Sequence, residues 1–128
     1  MIKTLNQSEI RQLYLSLIAG LGTLRANENV AVIDGDAAMV LAGEQETAPM
    51  LTICLSPRAS AILFPNQWFD HISGTPMKAM LTTKDDARIL LIESWCPLAN
   101  REVCIDGDGC VFYKEPKNVV WGIDTNNG

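Results

Sequence analysis

Two acidic pairs are the residues of this chain best suited to chemistry, because neighbouring carboxylates can share a metal ion or a proton. Asp34 and Asp36 flank Gly35, and Asp106 and Asp108 alternate with glycines. The second pair lacks the third acid and the distal glutamate of a calcium loop. We therefore expect both pairs to cap helices and form turns, not to bind metal.

His71 is the single histidine of the chain, and no nucleophile motif accompanies it, so a structural role is expected. Cys96, Cys104 and Cys110 lack the closely paired spacing of structural zinc sites. Together with Cys54 they are expected to stay reduced, without disulfides. Cys104 and Cys110 are expected to face each other across a hairpin, and a cysteine-based metal or redox module is kept as an alternative.

The elements that position these residues begin with an amphipathic helix. Asn6 stands three residues before Glu9, as in a capping box, and Gly20 and Gly22 mark the region where the helix should end. Its apolar positions follow helical spacing: Ile10, Leu13, Tyr14, Leu17, Ile18 and Leu21.

A strand, a turn, a helix and a second strand follow. The β-branched run Val30–Ile33 predicts a buried strand, and the turn 34–36 supplies the N-cap of a helix over Ala37–Ala42. Met50–Leu55 predicts the second strand, which Ser56–Pro57 ends.

The remainder of the chain predicts one short helix and two hairpins. Residues 59–64 are ambiguous between strand and helix, and Pro65 to Ile72 suggests a short helix. The hairpins are expected over Met77–Thr83 with Ala87–Glu93, and over Val103–Ile105 with Cys110–Tyr113. Val119–Trp121 could add an edge strand.

These elements predict a single mixed α/β domain over residues 1–128. Within it we expect an α/β portion over 1–94, a hairpin extension over 95–123 and a flexible tail over 124–128.

The order helix, strand, glycine turn, helix, strand resembles the nucleotidyltransferase superfamily, specifically its minimal and antitoxin-partner branches. The matching segments are Val30–Met39 and Thr47–Leu55. The resemblance implies a mixed sheet in which the strand–turn–helix holds phosphates. It also implies two carboxylates on the next strand, holding Mg²⁺ ions that activate a hydroxyl.

This chain departs from that pattern at the site positions. Thr52 and Cys54 stand where the family has carboxylates, and Asp36 follows Gly35 where the family has a small residue. A carboxylate there would compete with phosphate for the N–H groups of the helix start. We therefore treat Gly35, Asp36, Thr52 and Cys54 as remnants of a site and expect no catalytic residue, cofactor or metal.

The composition points to a soluble globular protein with a partner other than nucleic acid or a membrane. The net charge is −5, the ten basic residues are scattered, and no apolar run is long enough to span a bilayer. The N-terminus lacks a secretory signal, so a cytoplasmic location is expected. Core packing is the expectation for the large aromatic side chains, and any that are partly exposed are candidate anchors for a protein partner or a second copy: Trp68, Phe69, Trp95 and Trp121.

The function expected from these features is a non-catalytic interaction or regulatory protein on a degenerate nucleotidyltransferase-like scaffold. The first alternative is a divergent enzyme that uses ATP and Mg²⁺ with carboxylates from Asp34, Asp36 and Glu93. That alternative requires the three groups to converge around two bridged metal ions about 4 Å apart.

Overall fold

A computed structural model describes residues 3–21, 30–63, 77–93 and 101–116 of the chain. These residues form three helices and six strands. In chain order they are α1 (Gln7–Ile18), β1 (Ala31–Asp34), α2 (Gly35–Leu41), β2 (Leu51–Leu55), α3 (Pro57–Leu63), β3 (Met77–Thr82), β4 (Arg88–Glu93), β5 (Val103–Ile105) and β6 (Val111–Tyr113).

The strands form one mixed sheet in the order β3-β4-β2-β1-β6-β5. Strand β1 is antiparallel to β2 and parallel to β6, and β2 is parallel to β4. The two outer pairs, β3 with β4 and β5 with β6, are antiparallel hairpins. The mixed α/β fold is thus confirmed, and the hairpin predicted as an extension lies in the same sheet, directly beside β1.

The amphipathic helix begins as predicted. The Asn6 side chain accepts a hydrogen bond from the N–H of Glu9 at 2.9 Å, and Glu9 accepts one from the N–H of Asn6 at 3.0 Å. These two bonds satisfy donors that the helix start would otherwise leave without partners. Ile10, Tyr14 and Ile18 are buried along one stripe of α1, and the Tyr14 hydroxyl donates to the carbonyl of Ala31 at 2.7 Å. The helix is therefore fixed onto β1.

Alternate residues of the central strands divide the sheet into two buried faces. One face packs against α1 and α2, and it takes Ile33 from β1, Ile53 from β2 and Leu91 from β4. The opposite face carries Val32, Cys54, Leu90, Ile92, Val111 and Tyr113, each at most 7% exposed. We call these the helical face and the second face. Burial on both faces explains why the strands read as continuous apolar runs.

The ambiguous segment that begins at Ala59 belongs to a helix. Pro57 occupies the first helical position, where its missing N–H costs nothing. The Ser56 hydroxyl accepts a hydrogen bond from the N–H of Ala59 at 3.1 Å, which caps the helix start. Ser56–Pro57 thus ends β2 and begins α3. The helix predicted from Pro65 and the edge strand predicted over 119–121 lie outside the described residues.

Both predicted hairpins are confirmed, and positive φ values mark their turns. Asp86 adopts a φ of 64° between β3 and β4, and Gly109 a φ of 90° between β5 and β6. In the first turn the Thr83 hydroxyl accepts hydrogen bonds from the N–H groups of Asp85 and Ala87. Among the described residues, no helix has the length and apolar character needed to cross a bilayer.

Candidate functional site

Asp34 lies at the strand–helix junction of the segment that resembles the nucleotidyltransferases. It is the last residue of β1 and the N-cap of α2, and it is 2% exposed. Its Oδ1 accepts a hydrogen bond from the N–H of Gly35 at 2.9 Å. Gly35 has a φ of 65°, a conformation that favours glycine, which lets the chain pass directly from strand to helix. The predicted capping role of Asp34 is therefore confirmed.

Arg101 binds the Asp34 carboxylate through both of its terminal nitrogens. Nη1 lies 3.0 Å from Oδ2 and Nη2 lies 3.2 Å from Oδ1. Nη2 also donates to the carbonyl of Glu115 at 2.7 Å, and the guanidinium carbon lies 3.6 Å from the ring centroid of Tyr113. A bidentate pair reinforced by a cation–π contact is among the stronger polar arrangements in proteins. We call these three residues, Asp34, Arg101 and Tyr113, the Asp34–Arg101 centre.

Thr52 and Cys54, two of the residual-site positions named from the sequence, lie beside this centre. Thr52 pairs with Asp34 and Cys54 with Val32 across the β1–β2 ladder, and both are buried. The Cys54 Sγ lies 3.8 Å from Oδ2 of Asp34. Burial, together with the negative charge of Asp34, raises the pKa of the Cys54 thiol to about 12. A thiol in that state is largely protonated near neutral pH, and the thiolate is the nucleophilic form.

The carboxylate beside Cys54 thus comes from a position two residues before Asp36, the acid named among the residual-site positions. Asp36 lies in the first turn of α2 and is half-buried, whereas the carboxylate that reaches Cys54 is that of Asp34. Gly35 keeps its predicted place in the turn.

Glu93, the third acid of the alternative enzyme site, lies away from this centre. It ends β4 and pairs with Leu55, while Asp34 pairs with Thr52 at the other end of β2. Strand alternation places Glu93 on the helical face with Leu91, and Asp34 on the second face with Val32. The backbone of the sheet therefore separates the two carboxylates.

Asp106 and Asp108 form a turn, as predicted. Oδ1 of Asp106 accepts hydrogen bonds from the N–H groups of Asp108 at 2.9 Å and Cys110 at 3.0 Å, while Oδ2 accepts one from Nε of Arg11 at 2.9 Å. Asp108 lies 3.4 Å from the same nitrogen. These contacts connect α1 to the β5–β6 turn. Among the described residues, no group of three or more His, Cys, Asp or Glu side chains is placed to hold a metal ion.

The prediction that Cys104 and Cys110 face each other is wrong. Cys104 pairs with Phe112, because the ladder closes at Asp106 and Cys110 around a three-residue loop. Both thiols contribute to the helical face, and both are free, as is Cys54. Burial raises the pKa of Cys110 to about 12.

Several predicted residues cannot be placed. His71 and Cys96 lie outside the described residues. The same is true of the four candidate aromatic anchors, Trp68, Phe69, Trp95 and Trp121. The large hydrophobic side chains that are exposed in the described part of the chain are Ile62 at 43% and Ile105 at 56%. Neither isoleucine stands out by residue type or spacing in the sequence.

Arg101 and Tyr113 were also missed by the sequence analysis. A single arginine in a polar stretch carries no spacing signal, and Tyr113 read only as a strand residue. The detectable signal was Asp34 itself, an acid at the end of a buried strand, which requires a partner when it is enclosed.

A shallow groove of about 240 Å³ lies between α1 and the β3–β4 turn. Lys3, Glu9, Gln12 and Asp85 are among the residues that line it. Lys3 and Glu9 pair with each other at 2.7 Å, and the volume is below the usual range of small-molecule sites.

Comparison of the chain with protein-family models, with curated proteins and with solved structures found no match in any of the three.

Proposed function

We propose that this protein is a non-catalytic interaction protein of the cytoplasm that binds another protein or a second copy of itself. The observation that carries the proposal is the bidentate pair between Asp34 and Arg101. It occupies the strand–helix junction at which a nucleotidyltransferase-like site would need free N–H groups for phosphate, and it engages the Asp34 carboxylate that the alternative enzyme would need for metal.

The charge balance of this junction supports the non-catalytic half of the proposal. A divalent cation that bound Asp34 would have to displace the Arg101 guanidinium. The guanidinium would then lose the carboxylate that neutralises its charge in a partly buried position. Thr52 and Cys54 supply no anionic oxygen beside it, and Glu93 lies on the other face of the sheet. The degenerate nucleotidyltransferase-like scaffold remains part of this proposal.

The interaction half is supported by what the fold leaves exposed. Ile105 is 56% exposed on β5, which is the last strand of the sheet within the described part of the chain. An exposed apolar side chain on an edge strand can contact a strand that another chain adds to the sheet.

Two measurements on the full chain test the proposal. In the first, thermal unfolding and pyrophosphate release are followed with ATP and Mg²⁺ or Mn²⁺, and we expect neither a shift in the unfolding temperature nor turnover. Turnover that Asp34→Asn abolishes would overturn the proposal. The exposed Glu46→Gln is the control, since it removes one acid from the loop before β2.

In the second measurement, sedimentation velocity detects self-association, and quantitative affinity capture with excess untagged chain as competitor detects protein ligands. We expect self-association or a saturable, displaceable protein ligand. A chain that is monomeric and takes no displaceable ligand would contradict the interaction role.

A further inference from the structure

Among residues 101–116 and the other described ranges, no strand pairs with the outer edge of β5. The N–H of Lys114 donates to the carbonyl of Glu102, and the N–H of Asp106 donates to the carbonyl of Cys110. In an antiparallel ladder, hydrogen-bonded pairs alternate with non-bonded pairs. Glu102, Cys104 and Asp106 therefore direct their backbone groups toward β6. The intervening residues, Val103 and Ile105, direct theirs away from it.

β5 is the last strand of the sheet among the described residues, so the groups of Val103 and Ile105 form a two-residue pairing edge. Strand alternation places both side chains on the second face. Val103 packs against that face, whereas Ile105 is 56% exposed. The edge thus combines two N–H groups, two carbonyls and one exposed apolar side chain, which is the set of contacts that an added strand uses.

Exposed acidic side chains lie on β5–β6 and in its turn. The Glu102 side chain is 79% exposed, the Asp108 side chain is 65% exposed, and Glu115 is exposed after β6. The basic side chains described in and against this hairpin are each paired with an acid: Lys114 lies 3.4 Å from Glu102, Arg11 binds Asp106, and Arg101 binds Asp34. The exposed Lys114 pair is weak in water, so Glu102 stays available to a second cation.

We propose that the β5 edge binds an extended segment of a partner protein that has a short β-branched core flanked by basic residues. This inference rests on the proposed interaction function and names the partner class. The strand of the partner pairs with Val103 and Ile105 through its backbone, its core side chain contacts Ile105, and its basic residues meet the acidic groups around the edge.

Charge also argues against a second copy as the occupant. Two copies could pair their β5 edges as antiparallel strands related by a two-fold axis. The register that gives partners to the N–H and carbonyl groups of both Val103 and Ile105 sets Val103 opposite Ile105 of the second copy. That register places Glu102 opposite Asp106 of the other chain, and like charges directly opposite each other destabilise a sheet. The short length of β5 has the same effect, because natural sheets limit self-pairing with short edge strands.

The test uses the full chain and the fluorescein-labelled peptide KKVTVKK, with binding followed by fluorescence anisotropy. Controls are the acidic peptide EEVTVEE and a KKVTVKK peptide with N-methylated core residues. We expect saturable binding of the basic peptide that both controls lose. Equal binding of the acidic peptide, or binding unaffected by N-methylation, would overturn the proposal.

Two variants locate the site on the protein. Val103→Pro removes an outward N–H without removing a bond to β6, and proline is tolerated at such edge positions. We expect it to weaken binding about tenfold, the equivalent of one net hydrogen bond. Glu102→Lys should weaken binding by a similar factor, while the exposed Glu46→Lys makes the same change in net charge and should leave binding unchanged.

Urea unfolding first shows whether each variant is folded. If Val103→Pro does not fold, Glu102→Lys still tests the site, because its exposed position makes the substitution compatible with folding. Self-association that Val103→Pro abolishes would show that a second copy occupies the edge, and it would overturn this inference while leaving the proposed function intact. A protein ligand whose binding neither variant weakens would also overturn this inference and leave the proposed function intact. Nucleotide turnover would instead contradict the proposed function.

Discussion

Arg101 and Asp34 form a bidentate ion pair across 67 positions of sequence, with N–O distances of 3.0 and 3.2 Å. The pair joins the base of the β5–β6 hairpin to the strand–helix junction in the middle of the sheet. Asp34 is 2% exposed and the Arg101 side chain 25% exposed, so water screens the pair little.

Arg101→Met should destabilise the fold strongly, because it leaves the Asp34 carboxylate buried without its cation. Removing one partner of a buried pair costs about 3–5 kcal/mol. Lys114→Met is the matched control, since it breaks an exposed pair with Glu102 and should cost at most about 1 kcal/mol. Urea unfolding measures both values.

A double variant separates the ion pair from other effects of the substitution. Asp34→Asn with Arg101→Met should cost less than the sum of the two single changes, because the uncompensated charge is gone. Strictly additive costs would show that the two side chains are not energetically coupled.

Gly109→Ala should destabilise the β5–β6 hairpin by about 1–2 kcal/mol, because its φ of 90° places an L side chain in a strained region. No neighbour lies within 4 Å of the added Cβ, so backbone strain is the expected cause. Gly107→Ala in the same loop also has open space, without a positive φ, and should be neutral or slightly stabilising. Equal unfolding free energies for the two variants would refute this explanation.

Asp106 should contribute to acid stability. Burial opposes ionisation of its carboxyl, but hydrogen bonds from Arg11 and from the N–H groups of Cys110 and Asp108 outweigh it and lower the pKa. This stabilisation is complete above the unfolded pKa of about 3.9 and is lost as the pH falls through the lower folded value.

Asp106→Asn should therefore be less stable at pH 7 and should lose less stability between about pH 4 and pH 2 than the parent chain. Unfolding free energies from urea titrations at several pH values provide the check. Asp85→Asn, in the exposed β3–β4 turn, is the control and should follow the parent profile. An unchanged acid profile in Asp106→Asn would contradict the assignment.

Cys54 should make the folded chain less stable in alkali. Burial and the charge of Asp34 raise the pKa of its thiol to about 12, whereas the unfolded thiol ionises near about 8.5. A raised folded pKa gives stability that is present below the unfolded value and is lost as the pH rises toward 12.

Cys54→Ala should therefore show a smaller loss of stability between about pH 8.5 and pH 10.5 than the parent chain. In the native parent chain at pH 8, Cys54 should react with a thiol reagent only at the rate of unfolding. Rapid labelling of Cys54, located by peptide mass spectrometry, would show that the thiol is accessible.

The interactions between near neighbours in the chain could be read from the sequence. The capping box at Asn6 and Glu9, the cap at Asp34 and the β5–β6 turn all follow from residues within a few positions of one another. The same holds for the buried strands, whose apolar runs reflect burial on both faces of the sheet. The choice between strand and helix for residues 59–64 also depends on near neighbours, because Ser56 caps the helix and Pro57 begins it.

Only the tertiary structure decided which side chains meet. Strand order and register join Asp34 to Arg101, place Glu93 on the opposite face, and set Cys104 against Phe112 instead of Cys110. Periodicity and turn chemistry describe a residue and its near neighbours, whereas these contacts depend on how distant strands pair. The sequence therefore determined the elements and the acid at the end of β1, and the packing of the sheet determined that an arginine closes that position.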